Sequence, residues 1–156
     1  MRVLLVTNYK KDDQESMLRY GELIFSGLRK LGVDVERISP PVVAGRLGGK
    51  PFGWRGHFDK YFAFPWLLYF KARGADVVHI CDHSYAGNVA FLGGRASVVT
   101  CHDLLSVRAY LGELPQGALS RLGNLLQQWN MRGMRMAGEV VCVSEKTAVD
   151  LGRILG

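Results

Sequence analysis

The chain has 156 residues, of which 48% are hydrophobic and 22% are charged, which is the composition of one ordinary globular domain and excludes a disordered or fibrous chain. No apolar run approaches the roughly 20 residues that a membrane-spanning helix needs. The chain carries 20 Lys and Arg residues against 14 Asp and Glu residues, and this net charge of +6 favours an anionic partner such as a phosphate ester, a nucleic acid or an acidic lipid surface.

Short apolar runs rich in Val and Ile predict buried β-strands at 2–8, 33–39, 76–81, 96–101 and 139–144. The runs show continuous apolar character in place of strict alternation between apolar and polar residues, which is typical of a parallel sheet that is covered on both faces. Stretches with helical periodicity predict helices at 16–31, 58–73, 117–137 and 144–155, and we expect Gly32 to end the first helix and Ser144 to cap the last. This alternation predicts an α/β fold with a doubly wound parallel sheet.

Residues 39–57 predict a mobile loop, because prolines and glycines are frequent there and apolar side chains are few. The string at 45–51 is similar to a phosphate-binding loop, but its glycine spacing is one residue too short and Pro51 stands where Ser or Thr is needed. The turn after the first strand also lacks the glycine pattern of a dinucleotide site. An enzyme that depends on NAD or FAD is therefore disfavoured.

The cysteines are interpreted as reduced, buried, small apolar residues, because their number is odd and none forms a CxxC pair. An alternative is a zinc site, since Cys and His residues lie on or after neighbouring strands: His79, Cys81, His83, Cys101 and His102. Successive strand residues point to opposite faces of a sheet, so packing is the favoured interpretation for these side chains.

Polar residues follow the predicted strands at their carboxyl ends, where parallel α/β sheets bind ligands. These residues are Asn8, Tyr9, Asp82, His83, Ser84, Tyr85, His102 and Asp103. Any one of them is more often a turn or cap residue than a ligand contact, and Asp103 in particular could cap the following helix. Their convergence at one edge of the sheet is what indicates a site.

Aromatic residues are dense in the predicted helix at 58–73, at positions 58, 61, 62, 64, 66, 69 and 70. Core packing is the default interpretation. Because Lys60, Lys71 and Arg73 accompany these rings, an alternative is that the helix lies at a membrane interface or receives a lipid acceptor.

Several segments, in this order, resemble the amino-terminal domain of retaining GT-B glycosyltransferases of the family 4-like group, which includes glycogen-synthase-like enzymes. The segments are RVLLVTNY (2–9), LIFSGLRKLGVDVERIS (23–39), ADVVHICDHSYAG (75–87), SVVTCHD (97–103) and MAGEVVCVSEKTAVDL (136–151). The most specific are TCHD, similar to the family's T-x-H-D, and AGEVVCVSE at 137–145. The resemblance implies a Rossmann-like domain over 1–156 that binds the acceptor, paired across a cleft with a second domain that holds a nucleotide-activated sugar.

Carried over by motif, the resemblance implies two catalytic residues. His102 would contact the donor sugar, with its main-chain oxygen near the anomeric centre, and Asp103 would steady the loop. The substrate-binding residues that it implies are Asn8, Tyr9, Asp82, His83, Tyr85 and Ser144. Transfer in this group generally needs no metal, and we expect no metal, no other cofactor and no nucleic-acid partner.

The sequence departs from the family pattern in two ways. The glycine pair of many relatives is replaced after the first strand by TNYKKDDQES at 7–16, which suggests a specialised acceptor or a mobile lid. The donor-binding second domain is absent from these 156 residues, so we expect a piece of a longer enzyme or one half of a split one, inactive alone. Acceptor choice is assigned to loops 9–16 and 39–57.

The remaining expectations concern partners and location. The expected acceptor is a sugar or a lipid-linked molecule, and the expected location is cytoplasmic, with peripheral membrane contact through 44–73. Two rival functions stay open: half of a sugar-nucleotide epimerase or hydrolase of GT-B type, and a non-catalytic Rossmann-like module that docks to anionic lipid.

Overall fold

A five-stranded parallel sheet is the centre of the computed structural model, which describes residues 1–12, 14–42, 54–114 and 119–156. The strands are Arg2–Val6 (β1), Asp34–Ile38 (β2), Val77–Ile80 (β3), Ala96–Cys101 (β4) and Glu139–Cys142 (β5). Each strand lies within one of the predicted apolar runs. The predicted Rossmann-like α/β fold is confirmed.

The strand order is β2-β1-β3-β4-β5, and every neighbouring pair is parallel. Val3, for example, lies opposite Val35 on β2 and opposite Val77 on β3. The chain leaves β1 for one side of the sheet and returns to β3 on the other side, so the strand order reverses between β1 and β3. In sheets of this kind, ligands bind at the carboxyl ends of the two strands that flank such a reversal.

The α-helices of the described residues are Glu15–Lys30 (α1), Trp54–Phe58 (α2), Phe64–Ala72 (α3), Leu105–Tyr110 (α4), Arg121–Met136 (α5) and Glu145–Leu155 (α6). Gly32 follows α1 with φ +73°, a conformation that glycine adopts without strain, and this confirms the predicted helix end. Ser144 caps α6 as predicted, because its Oγ accepts a hydrogen bond from Thr147 N over 3.2 Å. Helix α5 begins later than predicted because Ser120 Oγ accepts from Gly123 N and so caps it.

A π-helical turn, Asp59–Ala63, joins α2 to α3, so the chain is helical from Trp54 to Ala72. The prediction of a loop is therefore wrong for residues 54–57. It rested partly on glycine frequency, whereas Gly56 lies inside the helix and is buried. Residues 43–53, with the string at 45–51, lie outside the described residues.

Besides α2, the sequence did not predict α4, a 3₁₀-helix at His83–Phe91 or a 3₁₀ turn at Lys10–Asp12. Helix α4 has only six residues, and a 3₁₀-helix does not show the 3.6-residue periodicity on which the helix predictions rest. The Asp82 carboxylate caps the 3₁₀-helix by accepting a hydrogen bond from Ser84 N over 2.9 Å.

Helices cover both faces of the sheet. On one face, alternate strand residues such as Leu4, Val78 and Val99 join a core with Phe64 and Leu68 of α3. Helix α5 packs on the 3₁₀-helix of the same face, and α1 lies on the opposite face, where Tyr20 contacts Thr100 of β4. No helix in the described ranges is long and apolar enough to cross a bilayer.

Candidate functional site

A cavity of about 480 Å³ opens at the carboxyl edge of the sheet, between the start of α1 and the turns that follow β3 and β4. Its lining residues are Gln14, Glu15, Ser16, Met17, Asp82, His83, Ser84, His102, Asp103 and Ser106. Five of the strand-end residues predicted from the sequence meet here: Asp82, His83, Ser84, His102 and Asp103. The cavity lies where the strand order predicts a ligand site.

The charge of this cavity differs from that of the whole chain. Three carboxylates line it, those of Glu15, Asp82 and Asp103, and no Lys or Arg is among its described lining residues, although the chain has a net charge of +6. Carboxylate oxygens accept hydrogen bonds from hydroxyl groups and repel phosphates. The cavity therefore suits a ligand with several hydroxyl groups better than a nucleoside diphosphate.

Asn8 ties the walls of the cavity together. Its Nδ2 donates to Asp82 Oδ2 over 2.5 Å and to Gln14 Oε1 over 3.0 Å, so it connects the ends of β1 and β3 with the start of α1. The side chain is 1% exposed and does not line the cavity. Asn8, predicted to bind substrate, is placed where it orients Asp82.

The imidazole of His102 is held in one orientation by two contacts. Its Nε2 lies 2.8 Å from the main-chain oxygen of Cys81, and a carbonyl oxygen only accepts, so Nε2 carries the hydrogen. The ring of Tyr20 packs edge-on against it at a centroid distance of 4.7 Å. None of the described residues bonds Nδ1, which remains available to a ligand.

Tyr20 is itself fixed by a small hydrogen-bonded network. Its hydroxyl lies 3.1 Å from Thr100 Oγ1, which lies 2.9 Å from His79 Nε2. Burial lowers the pKa of His79, so this imidazole is neutral at physiological pH. The network connects α1 to β3 and β4 directly behind His102.

The main-chain oxygen of His102 is also bonded. Thr147 Oγ1 donates to it over 3.3 Å, and Ser144 Oγ lies 2.9 Å from Thr147 Oγ1. Because the Thr147 proton is directed at the carbonyl, the Ser144 hydroxyl donates to Thr147. Ser144, predicted to bind substrate, does not line the cavity and instead ties the start of α6 to the catalytic candidate.

Asp103 combines the two roles that the sequence left open. Its Oδ1 accepts from Leu105 N over 3.0 Å at the start of α4, as in the capping interpretation, and its side chain also lines the cavity. His83 also lines the cavity. Its Nδ1 lies 3.4 Å from Asp82 Oδ1, but the pair does not have the geometry of a hydrogen bond.

Tyr9 and Tyr85, also predicted to bind substrate, are buried and hold the first loop. The Tyr85 hydroxyl accepts from Tyr9 N over 3.2 Å, and the Tyr9 hydroxyl donates to Asp59 Oδ2 over 2.9 Å. Burial and the nearby Asp59 carboxylate raise the pKa of Tyr9 to about 12, and burial also raises the pKa of Tyr85. Neither side chain lines the cavity.

A buried ion pair anchors the same loop to the helical segment 54–72. Lys60 Nζ lies 2.6 Å from Asp12 Oδ1, and each side chain is only 6% exposed. Lys60 and Asp59 both belong to the π-helical turn, and functional sites often contain such turns. The described part of the loop after β1 is therefore fastened at both Tyr9 and Asp12.

The cysteines do not form a metal centre in the described residues, where no group of three or more Cys, His, Asp or Glu side chains could hold a metal ion. Cys81, Cys101 and Cys142 are free thiols, and the first two are buried. Burial raises the pKa of Cys81 and of Cys101 to about 12, so both remain protonated at neutral pH.

Sequence reasoning did not identify several residues that shape the site. It assigned 9–16 to the acceptor but singled out none of Gln14, Glu15 or Ser16, and the position of the first turn of α1 as a wall was missed. Tyr20 and Thr147 were missed because they lie on helices, and their contacts with His102 join residues 82 and 45 positions apart in the chain. Helical periodicity in a sequence does not reveal such contacts.

The comparison with protein families is decisive for the class of protein. The model of Glycosyltransferase Family 4 matches residues 22–156, which is most of the chain. The chain belongs to Glycosyltransferase Family 4. A search of curated proteins finds no match. The resemblance to family 4 that the sequence motifs indicate is thus confirmed.

The match to Glycosyltransferase Family 4 divides the cavity in two. It includes Asp82, His83, His102 and Asp103, and it begins at residue 22, inside α1. The wall formed by Gln14, Glu15, Ser16 and Met17 lies before the matched region. One wall thus belongs to the family-matched part of this family-4 chain, and the other lies at the start of α1, where the segment 7–16 that departs from the family pattern ends.

Proposed function

We propose that this family-4 domain binds the acceptor of a retaining glycosyltransferase and positions an acceptor hydroxyl to receive a sugar from a nucleotide-sugar donor. In this reaction, the acceptor oxygen bonds to the anomeric carbon, the bond from that carbon to the diphosphate breaks, and the hydroxyl proton is released. The domain is one half of a GT-B cleft, and the other half is a second domain of the same chain or of a partner.

The observation that carries the proposal is the charge of the cavity. Glu15, Asp82 and Asp103 line it together with three serines, and its described lining contains no Lys or Arg. A leaving diphosphate requires cationic groups, whereas an acceptor requires groups that orient its hydroxyls. The cavity supports the acceptor role, and we propose that the opposite domain holds the diphosphate.

His102 is the residue proposed to act at the meeting point of acceptor and donor. Cys81 O and Tyr20 fix the orientation of its ring. A ligand can therefore bind Nδ1, which no described residue bonds, without a further loss of side-chain entropy. Its main-chain oxygen has a second lone pair beyond the one that accepts from Thr147. Both groups are suited to hold a sugar near its anomeric centre.

Steady-state kinetics of the full-length protein can test the acceptor role with Ser16→Trp. Ser16 is exposed on the cavity wall, so a Trp side chain there fills acceptor space without breaking a side-chain hydrogen bond to any described residue. We expect the KM for acceptor to rise at least about tenfold, which is about 1.4 kcal/mol, and the KM for donor to change little. Ser26→Trp, on the same helix but outside the cavity, is the matched control.

The kinetic pattern distinguishes the alternatives. If Ser16→Trp raises the KM for donor as much as that for acceptor, or if Ser26→Trp has the same effect, the acceptor assignment is wrong. Incubation with a panel of nucleotide sugars and of free and lipid-linked sugars shows whether transfer occurs. Release of free sugar that an added acceptor never captures would indicate a hydrolase.

The anomeric configuration of the product tests the retaining mechanism separately. Proton NMR of the transferred sugar should show the configuration of the donor. An inverted product would leave the acceptor role intact and overturn the mechanism.

A further inference from the structure

A row of exposed aromatic side chains runs along the outer face of the helical segment 54–72. Phe58, Phe62, Trp66 and Phe70 follow one another at intervals of four residues, and their exposed fractions are 40%, 61%, 61% and 58%. We call these four residues the aromatic stripe. Large apolar side chains exposed singly are ordinary, but four in a row on one helix form a contiguous apolar surface.

The π-helical turn helps to keep the stripe on one face. In an α-helix, residues four apart are offset by about 40° around the axis, so such a row drifts away from its starting face. A π-helical turn takes more residues per turn, and the turn Asp59–Ala63 therefore opposes this drift between Phe58 and Phe62. Their two rings stack at a centroid distance of 5.0 Å.

The core does not need these rings. The opposite face of the same segment supplies Phe64, Leu68 and Ala72 to the core, and all three are fully buried. The segment therefore has two apolar faces, and within the described residues only the inner one is covered.

The stripe also lies apart from the acceptor cavity. The chain passes from Ala72 into β3, so Phe70 lies near the edge of the sheet where β3 begins, and Phe58 lies at the other end of the helix. The cavity is at the carboxyl edge. Trp66 and Phe70 therefore lie away from the cavity, toward the opposite edge of the sheet.

The sequence that contains the stripe is rich in basic residues. Residues 39–75 contain six Lys and Arg residues and one acidic residue, Asp59, which is buried and bonded to Tyr9. Lys60 and Lys71 pair with Asp12 and Glu36.

Arg73 supplies a cation directly at the end of the stripe. Its guanidinium lies 5.4 Å from the centroid of the Phe70 ring and pairs with no acidic side chain in the described part of the chain. It is therefore available to an anionic partner beside the exposed rings.

We propose that the aromatic stripe binds the surface of an anionic phospholipid bilayer. The helix lies in the plane of the membrane, its Phe and Trp rings enter the boundary between headgroups and acyl chains, and Arg73 contacts lipid phosphates. Exposed Trp and Phe beside cations are the composition that this boundary favours. This contact goes beyond the proposed glycosyltransferase activity and does not require it.

Co-sedimentation of the full-length protein with vesicles tests the proposal. One set of vesicles contains phosphatidylcholine with about 30% phosphatidylglycerol, which gives a strongly negative surface. The other set contains phosphatidylcholine alone. We expect binding to the anionic vesicles at low salt, much weaker binding to neutral ones, and weaker binding as salt is raised. The double variant Phe62→Ser/Trp66→Ser should lower the partition coefficient at least about tenfold.

Two further variants make the result specific. Leu23→Ser/Val149→Ser removes two equally exposed apolar side chains from α1 and α6, and it should bind like the wild type. Arg73→Glu keeps the rings and reverses one charge, and it should weaken binding to anionic vesicles only. It also keeps the proposal testable if the double stripe variant does not fold.

Three outcomes would overturn the proposal. The first is no vesicle binding at low salt, and the second is equal loss of binding in the stripe and control variants. The third is a stripe variant that changes the oligomeric state but not vesicle binding, because the stripe would then contact protein.

Discussion

His102 Nε2 donates a hydrogen bond to the main-chain oxygen of Cys81 over 2.8 Å and so connects the carboxyl ends of β4 and β3. Because the accepting oxygen belongs to the main chain, the bond fixes the orientation of the imidazole ring independently of any neighbouring side chain. It also fixes which ring nitrogen is protonated in the neutral imidazole. A histidine placed in this way can act on a ligand without first rearranging.

Replacement of His102 by Ala should lower turnover of the complete enzyme at least about tenfold, a loss of about 1.4 kcal/mol of transition-state stabilisation. The fold should survive, because His102 lines an open cavity, from which water can enter and replace the imidazole as the donor to Cys81 O. Measurements of kcat and of thermal unfolding test both parts. Ser26→Ala serves as the control, and turnover of His102→Ala equal to that of this control would contradict the role of His102.

Tyr20 should act as a positioning residue for His102. Tyr20→Phe keeps the ring edge against the imidazole and loses the hydrogen bond to Thr100, so turnover should stay within about twofold while stability falls by about 1 kcal/mol. Tyr20→Leu removes the ring contact and should lower kcat several-fold without a matching rise in the acceptor KM. Equal kcat values for the two variants would show that Tyr20 serves stability alone.

Tyr9→Phe should destabilise the protein by about 1–3 kcal/mol, because the fully buried Asp59 carboxylate loses a hydrogen bond. Tyr69→Phe is a matched control, since the Tyr69 hydroxyl accepts from Arg73 on the exposed side of the helix, and it should cost less than about 0.5 kcal/mol. Urea unfolding measures both. If the two substitutions cost the same, the anchoring of the first loop by Tyr9 is wrong.

Gly133→Ala should be strongly destabilising, by about 2 kcal/mol or more, because a Cβ at this position of α5 would overlap the main chain of Ala86 in the 3₁₀-helix. Gly27→Ala is the contrasting change within a helix. A Cβ there meets nothing within 4 Å, so alanine should stabilise α1 by about 0.5–1 kcal/mol. Thermal unfolding of the two variants should shift in opposite directions, and an unchanged or raised midpoint for Gly133→Ala would contradict the packing of α5.

The hydrogen bonds from Lys71 and Arg2 hold the pKa of Glu36 below its ordinary value in the folded protein. The stabilisation is therefore present above the ordinary carboxyl pKa and is lost as the pH falls through the lowered pKa. Glu36→Gln should reduce the unfolding free energy at pH 7 by about 1 kcal/mol or less. The difference from the wild type should vanish in acid, and a difference that persists there would contradict an ionic origin.

A control for that titration is Glu139→Gln, because Glu139 on β5 forms no ion pair with any residue in the described ranges. Its unfolding free energy should stay within about 0.5 kcal/mol of the wild type at neutral pH. Denaturant unfolding at several pH values provides the comparison.

The strands and the long helices were predictable because their signal is local. The buried parallel strand Arg2–Val6 has four consecutive apolar residues, and Ser144 and Gly32 mark helix ends with their own chemistry. The helix at Trp54–Phe58 was not predictable in this way, since its glycine favours a loop in isolation and only burial overrides that preference.

The candidate site could be predicted only to the level of strand ends. The order of the strands brings Asp82 and His102 to one edge, and this follows from the fold class. Whether a side chain such as Tyr9 or Ser144 points into the cavity or into the scaffold depends on long-range partners, namely Asp59 and Thr147. Such partners leave no trace in local composition.

The π-helical turn Asp59–Ala63 also constrains the length of the chain. Each residue of an α-helix turns its successors by about 100°, so deletion of one residue from the turn would rotate one half of the segment against the other. Asp59 and Lys60 could then keep their bonds to Tyr9 and Asp12, or Phe64 could keep its place in the core, but not both. We therefore expect related chains that share this anchoring to conserve the number of residues between Asp59 and Phe64.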